Sequence, residues 1–200
     1  MVNDQTSPLN VKVILGSTRS GRFSEKPGQW IAEEAKKQKD LTVELLDLRD
    51  YPMPLFDEAE TPGYKSKPYS HESVVRWTAK IAEADAFIVI APEYNHGYPA
   101  VLKNALDYVY QEWNSKPIAF VTYGSAMGAR TTEQLRQVAI ELQMAPIRNA
   151  VHMPYDVLIA VGKGVPAAEI FAPYAERAGG LIEQLTWWGK ALKTARGGVV

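Results

Sequence analysis

Residues 86–91 read Ala-Phe-Ile-Val-Ile-Ala, a continuous apolar run rich in β-branched side chains. A strand without polar alternation is typical of a parallel sheet that helices cover on both faces. Four further runs, at residues 11–15, 42–48, 116–123 and 147–152, are also predicted as strands. The sequence therefore predicts a five-stranded parallel sheet.

Helical patterns alternate with these strands along the chain. They cover residues 30–39, 71–84, 99–113, 130–142 and 173–195. Such alternation predicts right-handed crossovers that place helices on both faces of one sheet. A proline-rich loop is expected at residues 50–70, and an irregular connection at residues 155–172. We expect one α/β domain over residues 1–200, with flexible ends at residues 1–10 and 195–200.

Composition excludes several function classes. The 200 residues include 22 Lys+Arg and 23 Asp+Glu, so the formal net charge is −1. Domains that bind nucleic acid through bulk charge are usually strongly basic, so no nucleic-acid partner is expected. The absence of cysteine excludes disulfides, thiolate catalysis and thiolate metal sites. Neither a membrane-spanning run nor an export signal is recognised, so we expect a cytoplasmic protein.

The loop after the first predicted strand has the properties of a phosphate site. Residues 16–24 read Gly-Ser-Thr-Arg-Ser-Gly-Arg-Phe-Ser. Ligands of parallel α/β sheets bind at the carboxyl ends of the strands, where a helix N-terminus favours anions. Arg19 and Arg22 would add fork-shaped donors suited to phosphate. The loop matches neither the Walker A nor the dinucleotide-binding pattern, and the alternative is an ordinary solvated turn.

Two further loops follow the third and fourth strands. Residues 92–99 read Pro-Glu-Tyr-Asn-His-Gly-Tyr-Pro, and residues 123–130 read Tyr-Gly-Ser-Ala-Met-Gly-Ala-Arg. In the first of these, Asn95 and exposed backbone groups can bond a flat heteroaromatic ring, and Tyr94 and Tyr98 can flank it. Small residues in the second allow a ligand edge to approach the backbone. Each alone is also compatible with an ordinary turn, but together with residues 16–24 they predict a site for a planar, phosphorylated ligand.

Three motifs in this chain resemble those of the NAD(P)H-dependent FMN reductase family, which includes quinone, azo-dye and chromate reductases. They are Gly-Ser-Thr-Arg at residues 16–19, Pro-Glu-Tyr-Asn at 92–95 and Leu-Lys-Asn-Ala-Leu-Asp at 102–107. Residues 47–57 also resemble the family's segment after the second strand, and the likeness runs from about residue 11 to 192. The resemblance implies a flavodoxin-like three-layer α/β/α sandwich with strand order 2-1-3-4-5.

The resemblance also implies FMN as cofactor, with NADPH or NADH as co-substrate. By this likeness Ser17, Arg19 and Ser24 would hold the FMN phosphate. The full set of implied cofactor-binding residues is Gly16, Ser17, Thr18, Arg19, Arg22, Phe23, Ser24, Pro92, Glu93, Tyr94, Asn95, His96, Tyr123, Gly124 and Ser125. Residues 92–95 would line the isoalloxazine, and residues 123–125 would approach its pyrimidine side. His96 is expected to lie near the flavin, without an assigned contact. Met127-Gly128 stands where relatives often carry two glycines, and it is a departure from the family pattern in this loop.

The implied activity is hydride transfer from a nicotinamide nucleotide to FMN, and onward to a flavin, quinone, azo compound or metal oxyanion, in a ping-pong cycle. The chemistry belongs to the flavin, so no catalytic side chain and no metal are expected. Proton donation by His96, Tyr94 or Tyr98 is a secondary hypothesis, whereas His71 and His152 are interpreted as capping or surface residues. The alternatives are a flavodoxin-like electron carrier, or a flavin-binding regulatory protein without turnover. A net charge of −1 and the loop arginines count against the carrier.

The family likeness also implies a homodimer or homotetramer and a small-molecule electron acceptor. Aromatic residues on the long loop and its flanking helices are candidates for a subunit interface. They are Tyr64, Tyr69, Trp77, Tyr108, Tyr110 and Trp113. Packing in the core is an equally good interpretation for Trp77 and Tyr108.

Overall fold

Five parallel strands form the centre of the fold, as a computed structural model of residues 7–64 and 69–198 describes it. The strands are β1 Leu9–Leu15, β2 Leu41–Asp47, β3 Ala86–Pro92, β4 Pro117–Gly124 and β5 Ala145–Pro154. All neighbouring strands pair in parallel, in the order β2-β1-β3-β4-β5. This order and the flavodoxin-like architecture confirm the prediction.

Helices cover both faces of the sheet. They are α1 Glu25–Lys36, α2 Glu72–Glu83, α3 Ala100–Asp107, α4 Ala129–Glu141, α5 Tyr155–Gly162, α6 Ala167–Phe171 and α7 Ala175–Gly197. One hydrophobic core lies between the sheet and α1, α6 and α7, and the other between the sheet and α2, α3 and α4. Neighbouring strand residues such as Val13 and Ile14 enter opposite cores, as the strand period requires. Within the described ranges, no helix has the length and apolarity needed to cross a membrane.

Several helix boundaries differ from the sequence prediction. Helix α1 begins at Glu25 instead of residue 30, because Pro27 falls in the first turn, where a missing N–H is tolerated. The helix predicted over residues 99–113 ends at Asp107, and a separate 3₁₀ turn follows at Gln111–Trp113.

The predicted irregular connection at residues 155–172 is also wrong, since it contains α5 and α6. Phe171, at the end of α6, stacks on Trp30 of α1 with ring centroids 5.0 Å apart. Tertiary packing therefore stabilises the short helix α6. The sequence pattern does not predict this helix, because Gly and Pro residues lie near it.

The chain ends carry more regular structure than expected. Leu9 and Asn10, predicted to be flexible, belong to β1, and Leu9 is buried beneath α7. A Cβ atom on Gly189 would lie 2.8 Å from the Leu9 side chain, so α7 packs closely on the strand. Helix α7 runs to Gly197, into the predicted flexible end. Residues 1–6 and 199–200, also predicted to be flexible, lie outside the described residues.

Three of the six aromatic interface candidates are core residues. Trp77, Tyr108 and Trp113 are fully buried in the core beneath α2 and α3. The Trp77 indole donates to the Ala105 carbonyl at 2.8 Å, which satisfies its N–H. These three side chains are therefore unavailable for subunit contact, whereas Tyr64 is 91% exposed.

Candidate active site

The loops after β1, β3 and β4 lie side by side at one edge of the sheet. The Gly16 N–H donates to the Ile90 carbonyl at 2.9 Å, and the Glu93 N–H to the Tyr123 carbonyl at 2.9 Å. The Ser17 hydroxyl lies 3.0 Å from the Tyr94 hydroxyl. The structure therefore brings the three predicted ligand-binding loops together into one continuous surface.

The first loop, residues 16–24, begins with a close backbone approach. A Cβ atom on Gly16 would lie 2.9 Å from both the Ile90 carbonyl oxygen and the Leu102 side chain, so only glycine fits without a shift. Ser17 is buried, Thr18 is half-buried and Arg19 is exposed. The Arg19 guanidinium forms no hydrogen bond or ion pair with any described residue. It is therefore free to meet a ligand.

The position of Arg22 does not support the predicted contact with phosphate. Its side chain is buried, and Nη1 donates to the Ser17 carbonyl at 2.6 Å and to Asp47 Oδ1 at 2.7 Å. Its Nε donates to Glu25 Oε1 at 3.0 Å. The hydrogen bond with Asp47 raises the pKa of Arg22 above its ordinary value. Arg22 therefore holds the loop from within.

Arg49, just after β2, is a residue that sequence reasoning missed. Its Nη2 donates to the Arg19 carbonyl at 2.7 Å, and Nε approaches the Thr18 carbonyl at 3.4 Å. Nη1 lies 3.1 Å from Glu25 Oε1.

We call Arg22, Glu25, Asp47 and Arg49 the loop brace. Burial alone would raise the pKa of Asp47, but hydrogen bonds from Arg22 and Arg49 hold it below its ordinary value. The resemblance of residues 47–57 to the family segment was the available signal for this brace, but it assigned no role to Arg49.

Three buried residues pack beneath the surface formed by the three loops. They are Phe23, Ser24 and Tyr123. The Phe23 and Tyr123 rings meet edge to face with centroids 4.8 Å apart, and both are buried. Burial raises the pKa of the Tyr123 phenol, so it stays protonated. Ser24 Oγ, fully buried at the start of α1, lies near this phenol and forms no hydrogen bond of normal geometry with a described residue. The Ser24 hydroxyl therefore retains unused hydrogen-bonding capacity.

The second loop contains a tight turn with Asn95 and His96 at its tip. Their φ angles are 49° and 72°, and Tyr94 and Gly97 exchange backbone hydrogen bonds of 2.8 and 3.0 Å. Two successive positive φ values are typical of a type I′ turn, in which Asn is favoured. Both tip side chains are exposed.

Helix α4 holds this second loop in place. The Glu93 side chain is buried and bonds Arg130, whose Nε lies 2.5 Å from Glu93 Oε1. The Thr131 hydroxyl donates to the Pro92 carbonyl at 3.1 Å. The Glu93 carboxylate is thus engaged and its N–H already donates to the Tyr123 carbonyl, so its own carbonyl is the group that can meet a ligand.

His96 also contacts Arg130, with 2.9 Å between Nε2 and Nη1. A guanidinium can only donate, so Nε2 accepts. With Nε2 accepting from Arg130, the hydrogen-bond geometry places the ring N–H of His96 at Nδ1.

Tyr98 does not flank the loop surface as predicted. It is half-buried against the core beneath α2–α4, and it lines a different cavity with Leu55 and Lys103. Asn104, from the third family-like motif, donates to the Pro54 carbonyl at 2.7 Å and accepts from the Phe56 N–H at 2.8 Å. This motif therefore anchors the long loop.

The third loop, residues 123–130, depends on Gly128. Its φ is +71°, and a Cβ atom would lie 2.5 Å from Thr122 Cβ. Met127, the departure from the family pattern, adopts φ 57° and is 47% exposed. Its N–H donates to the Gly124 carbonyl at 2.9 Å. The loop thus forms a left-handed turn that leaves Ser125 and Met127 at the surface.

Comparisons with known proteins identify the family and the fold of the chain. A family model described as NADPH-dependent FMN reductase matches residues 9–157. The chain is 39% identical over 161 residues to an NAD(P)H-dependent FMN reductase of Schizosaccharomyces pombe, covering 80% of each chain. It is 30% identical over 143 residues to a quinone reductase of Pseudomonas putida, covering 68% of this chain and 72% of that one. In fold it is similar to the flavoenzyme NAD(P)H:acceptor oxidoreductase FerB of Paracoccus denitrificans, with TM-score 0.70, 21% identity and coverage of 92% and 98%.

Proposed function

Since the chain belongs to the NADPH-dependent FMN reductase family, we propose that it passes electrons from a reduced nicotinamide nucleotide to a small-molecule acceptor at the three-loop surface. The enzyme is an FMN-dependent NAD(P)H oxidoreductase. The observation that carries the location is the convergence of the loops after β1, β3 and β4, joined through Ser17 and Tyr94. The Arg19 guanidinium at this surface, which no described residue pairs, supplies the positive charge that a phosphate requires.

The residues present fit FMN. Arg19 and Ser17, with the backbone N–H groups of their loop and the spare capacity of Ser24, would hold the phosphate. Asn95 and backbone groups of the second loop would meet the ring, and the backbone at Gly124 would approach its other edge. When bound, FMN supplies the two-electron chemistry, so the chain needs no nucleophile.

The chain's own contribution is the positioning of the ligand and of the hydrogen-bond donors around it. The loop brace fixes the first loop, and α4 fixes the second. A ligand therefore meets hydrogen-bond donors that are already in position. Among the three candidates for proton donation, His96 is the one with an exposed ring N–H free of Arg130, so its Nδ1–H can donate a hydrogen bond to an acceptor. The Tyr94 hydroxyl already bonds Ser17, and Tyr98 is half-buried elsewhere.

We further propose that nucleotide and acceptor occupy the same exposed face in turn, which is a ping-pong cycle. Flavins, quinones, azo compounds and metal oxyanions are the acceptor classes. The test is to load the purified protein with FMN and follow oxidation of NADH and of NADPH with one acceptor of each class. Parallel double-reciprocal plots at several acceptor concentrations are expected. If bound flavin is reduced by neither nucleotide, the protein is a carrier or a regulatory flavoprotein instead.

A homodimer or homotetramer is also part of the proposal. Tyr64 and Leu55 on the long loop are 91% and 80% exposed, and large exposed apolar side chains are suited to subunit contact. Light scattering of the FMN-loaded protein measures the assembly, and a monomer at micromolar concentration would contradict it.

A further inference from the structure

An open groove runs along the outer edge of the sheet, between α4, β5 and α7. Its volume is about 710 Å³, and its lining includes Arg136 of α4, Arg148 and His152 of β5, and Arg177 of α7. We call it the arginine groove. None of these residues belongs to the loops at which the flavin is proposed to bind.

The arginine groove concentrates positive charge in a chain whose formal net charge is only −1. Three arginines and one acid, Glu176, line it, which leaves a formal lining charge of three minus one, or +2. Arg136 is oriented by Glu133 at 2.9 Å and donates to the Arg148 carbonyl at 2.9 Å. Because the three guanidiniums line one groove, their positive potentials add there and favour the binding of an anion.

Two of these guanidiniums lack partners among the residues that the structure describes. Among the nine arginines of the chain, only three have side chains without a hydrogen bond or ion pair to any described residue: Arg19, Arg148 and Arg177. Arg19 is the residue that faces the proposed phosphate site. Arg148 and Arg177 are the two that line the arginine groove.

We propose that the arginine groove binds a phosphate-bearing anion at a second site, distinct from the three-loop surface. Guanidinium groups present planar pairs of donors that match phosphate oxygens. A volume of about 710 Å³ has room for a small phosphate ester or diphosphate.

The walls of the groove are held in place by the rest of the fold. The Asn149 N–H donates to Gln184 Oε1 at 2.8 Å, and Asn149 Nδ2 donates to the Gly180 carbonyl at 2.9 Å, which ties β5 to α7. His152 Nδ1 lies 2.9 Å from the Thr122 hydroxyl, which approaches the Met127 carbonyl at 3.3 Å. His152 is therefore connected to the third loop through Thr122.

The test is calorimetric titration of the FMN-saturated protein with inorganic pyrophosphate, at an ionic strength held constant with chloride. Saturation with FMN blocks the flavin phosphate site, and the Arg19→Ala variant provides a second background in which that site is weakened. We expect one saturable site in both. The Arg148→Gln/Arg177→Gln variant is expected to lose about a hundredfold in affinity, or about tenfold for each lost charged contact. Lys39→Gln, which removes an exposed cation beyond the end of α1, is the matched control and is expected to bind normally.

Three results would overturn the proposal. They are the absence of saturable binding, an equal loss of binding in Lys39→Gln, and unchanged binding in the double variant. If the double variant changes the subunit number and leaves pyrophosphate binding unaltered, the groove is a contact between copies of the chain. Because neither arginine has a partner among the described residues, the double variant is expected to keep the wild-type melting temperature, which shows that it is folded.

Discussion

The Ser17 and Tyr94 hydroxyl oxygens lie 3.0 Å apart, although 77 positions separate the two residues in the chain. This hydrogen bond joins the loop proposed to hold phosphate to the loop proposed to hold the ring. Tyr94 can donate to Ser17 while the Ser17 proton points to a ligand, since a hydroxyl both donates and accepts. The hydrogen bond thereby fixes the distance between the loop proposed to hold phosphate and the loop proposed to hold the ring.

Tyr94→Phe is expected to weaken FMN binding about fivefold, because it removes this link and preserves the ring. Quenching of flavin fluorescence during titration measures the affinity. Tyr64→Phe removes a hydroxyl from a residue that is 91% exposed, and it is the matched control. A double-mutant cycle with Ser17→Ala is expected to give a coupling free energy of about 1 kcal/mol. Strict additivity would mean that the bond does not position the loops.

Arg19→Ala and Arg22→Ala are expected to have opposite consequences. Arg19 is exposed and unpaired within the described chain, so its loss lowers FMN affinity about tenfold and changes the free energy of unfolding by less than about 0.5 kcal/mol. The Arg22 side chain is buried against the half-buried Asp47. Its loss takes the guanidinium from that carboxylate, which keeps the Arg49 N–H, and leaves the Ser17 carbonyl without its buried donor, so it costs about 2 kcal/mol. Urea unfolding and flavin titration of both variants separate the two roles. Equal stability loss in both would contradict the assignment.

Gly128→Ala is expected to destabilise the third loop by about 3 kcal/mol. A Cβ atom there would lie 2.7 Å from the Tyr123 backbone nitrogen, and φ is +71°. Gly164 is the matched control, because its φ is +79° but a Cβ atom would meet nothing within 4 Å. Gly164→Ala is therefore expected to cost only the backbone strain, about 1 kcal/mol. Urea unfolding measures both, and similar values would show that the close contact at Gly128 is relieved by a shift.

Lys116 is expected to make stability depend on pH. It is buried at the base of β4 and donates to the Ile81 and Ala82 carbonyls at 2.8 and 3.1 Å. Burial lowers its pKa from 10.5 to about 8, so between these values the unfolded chain binds more protons than the native protein. The free energy of unfolding therefore gains a contribution that rises with pH above about 8 and is constant below it.

Lys116→Met is expected to remove this rise, which is on the order of 2 kcal/mol between pH 8 and about pH 10. Urea unfolding of the wild type and the variant at several pH values measures it. Lys39→Met, at an exposed position, is expected to follow the wild type. Tyrosine ionisation in the unfolded chain affects all three proteins alike, so the difference between the curves isolates Lys116. Parallel curves for Lys116→Met and wild type would contradict the prediction.

The sheet could be predicted from sequence because continuous apolar runs and their alternation with helical patterns are local signals. Residues 86–91 and 116–123 are buried on both faces, as their composition indicates. The three loops were also predictable, since they follow directly from the ends of the strands. Helix α6 was not, because Phe171 depends on its stacking with the distant Trp30.

The loop brace could not be predicted from local sequence patterns either. Arg22 and Arg19 look alike in sequence, and only the position of Asp47, at the end of the neighbouring strand β2, draws Arg22 inward. Arg49 lies 30 positions from the carbonyl that it bonds. The order of the strands therefore decides which arginine is free for a ligand and which one supports the loop. The local sequence pattern does not contain this information.

Arg49 also determines which way the first loop presents its peptide groups. A trans peptide unit is planar, so its C=O and the following N–H point in opposite directions. Because Arg49 draws the Thr18 and Arg19 carbonyls toward itself, the N–H groups of Arg19 and Ser20 are turned to the other side. A cation behind the loop thus orients amide donors on its front, as in the backbone nests that receive anions. Through the orientation of these amides, Arg49 favours the binding of an anion without a direct contact to it.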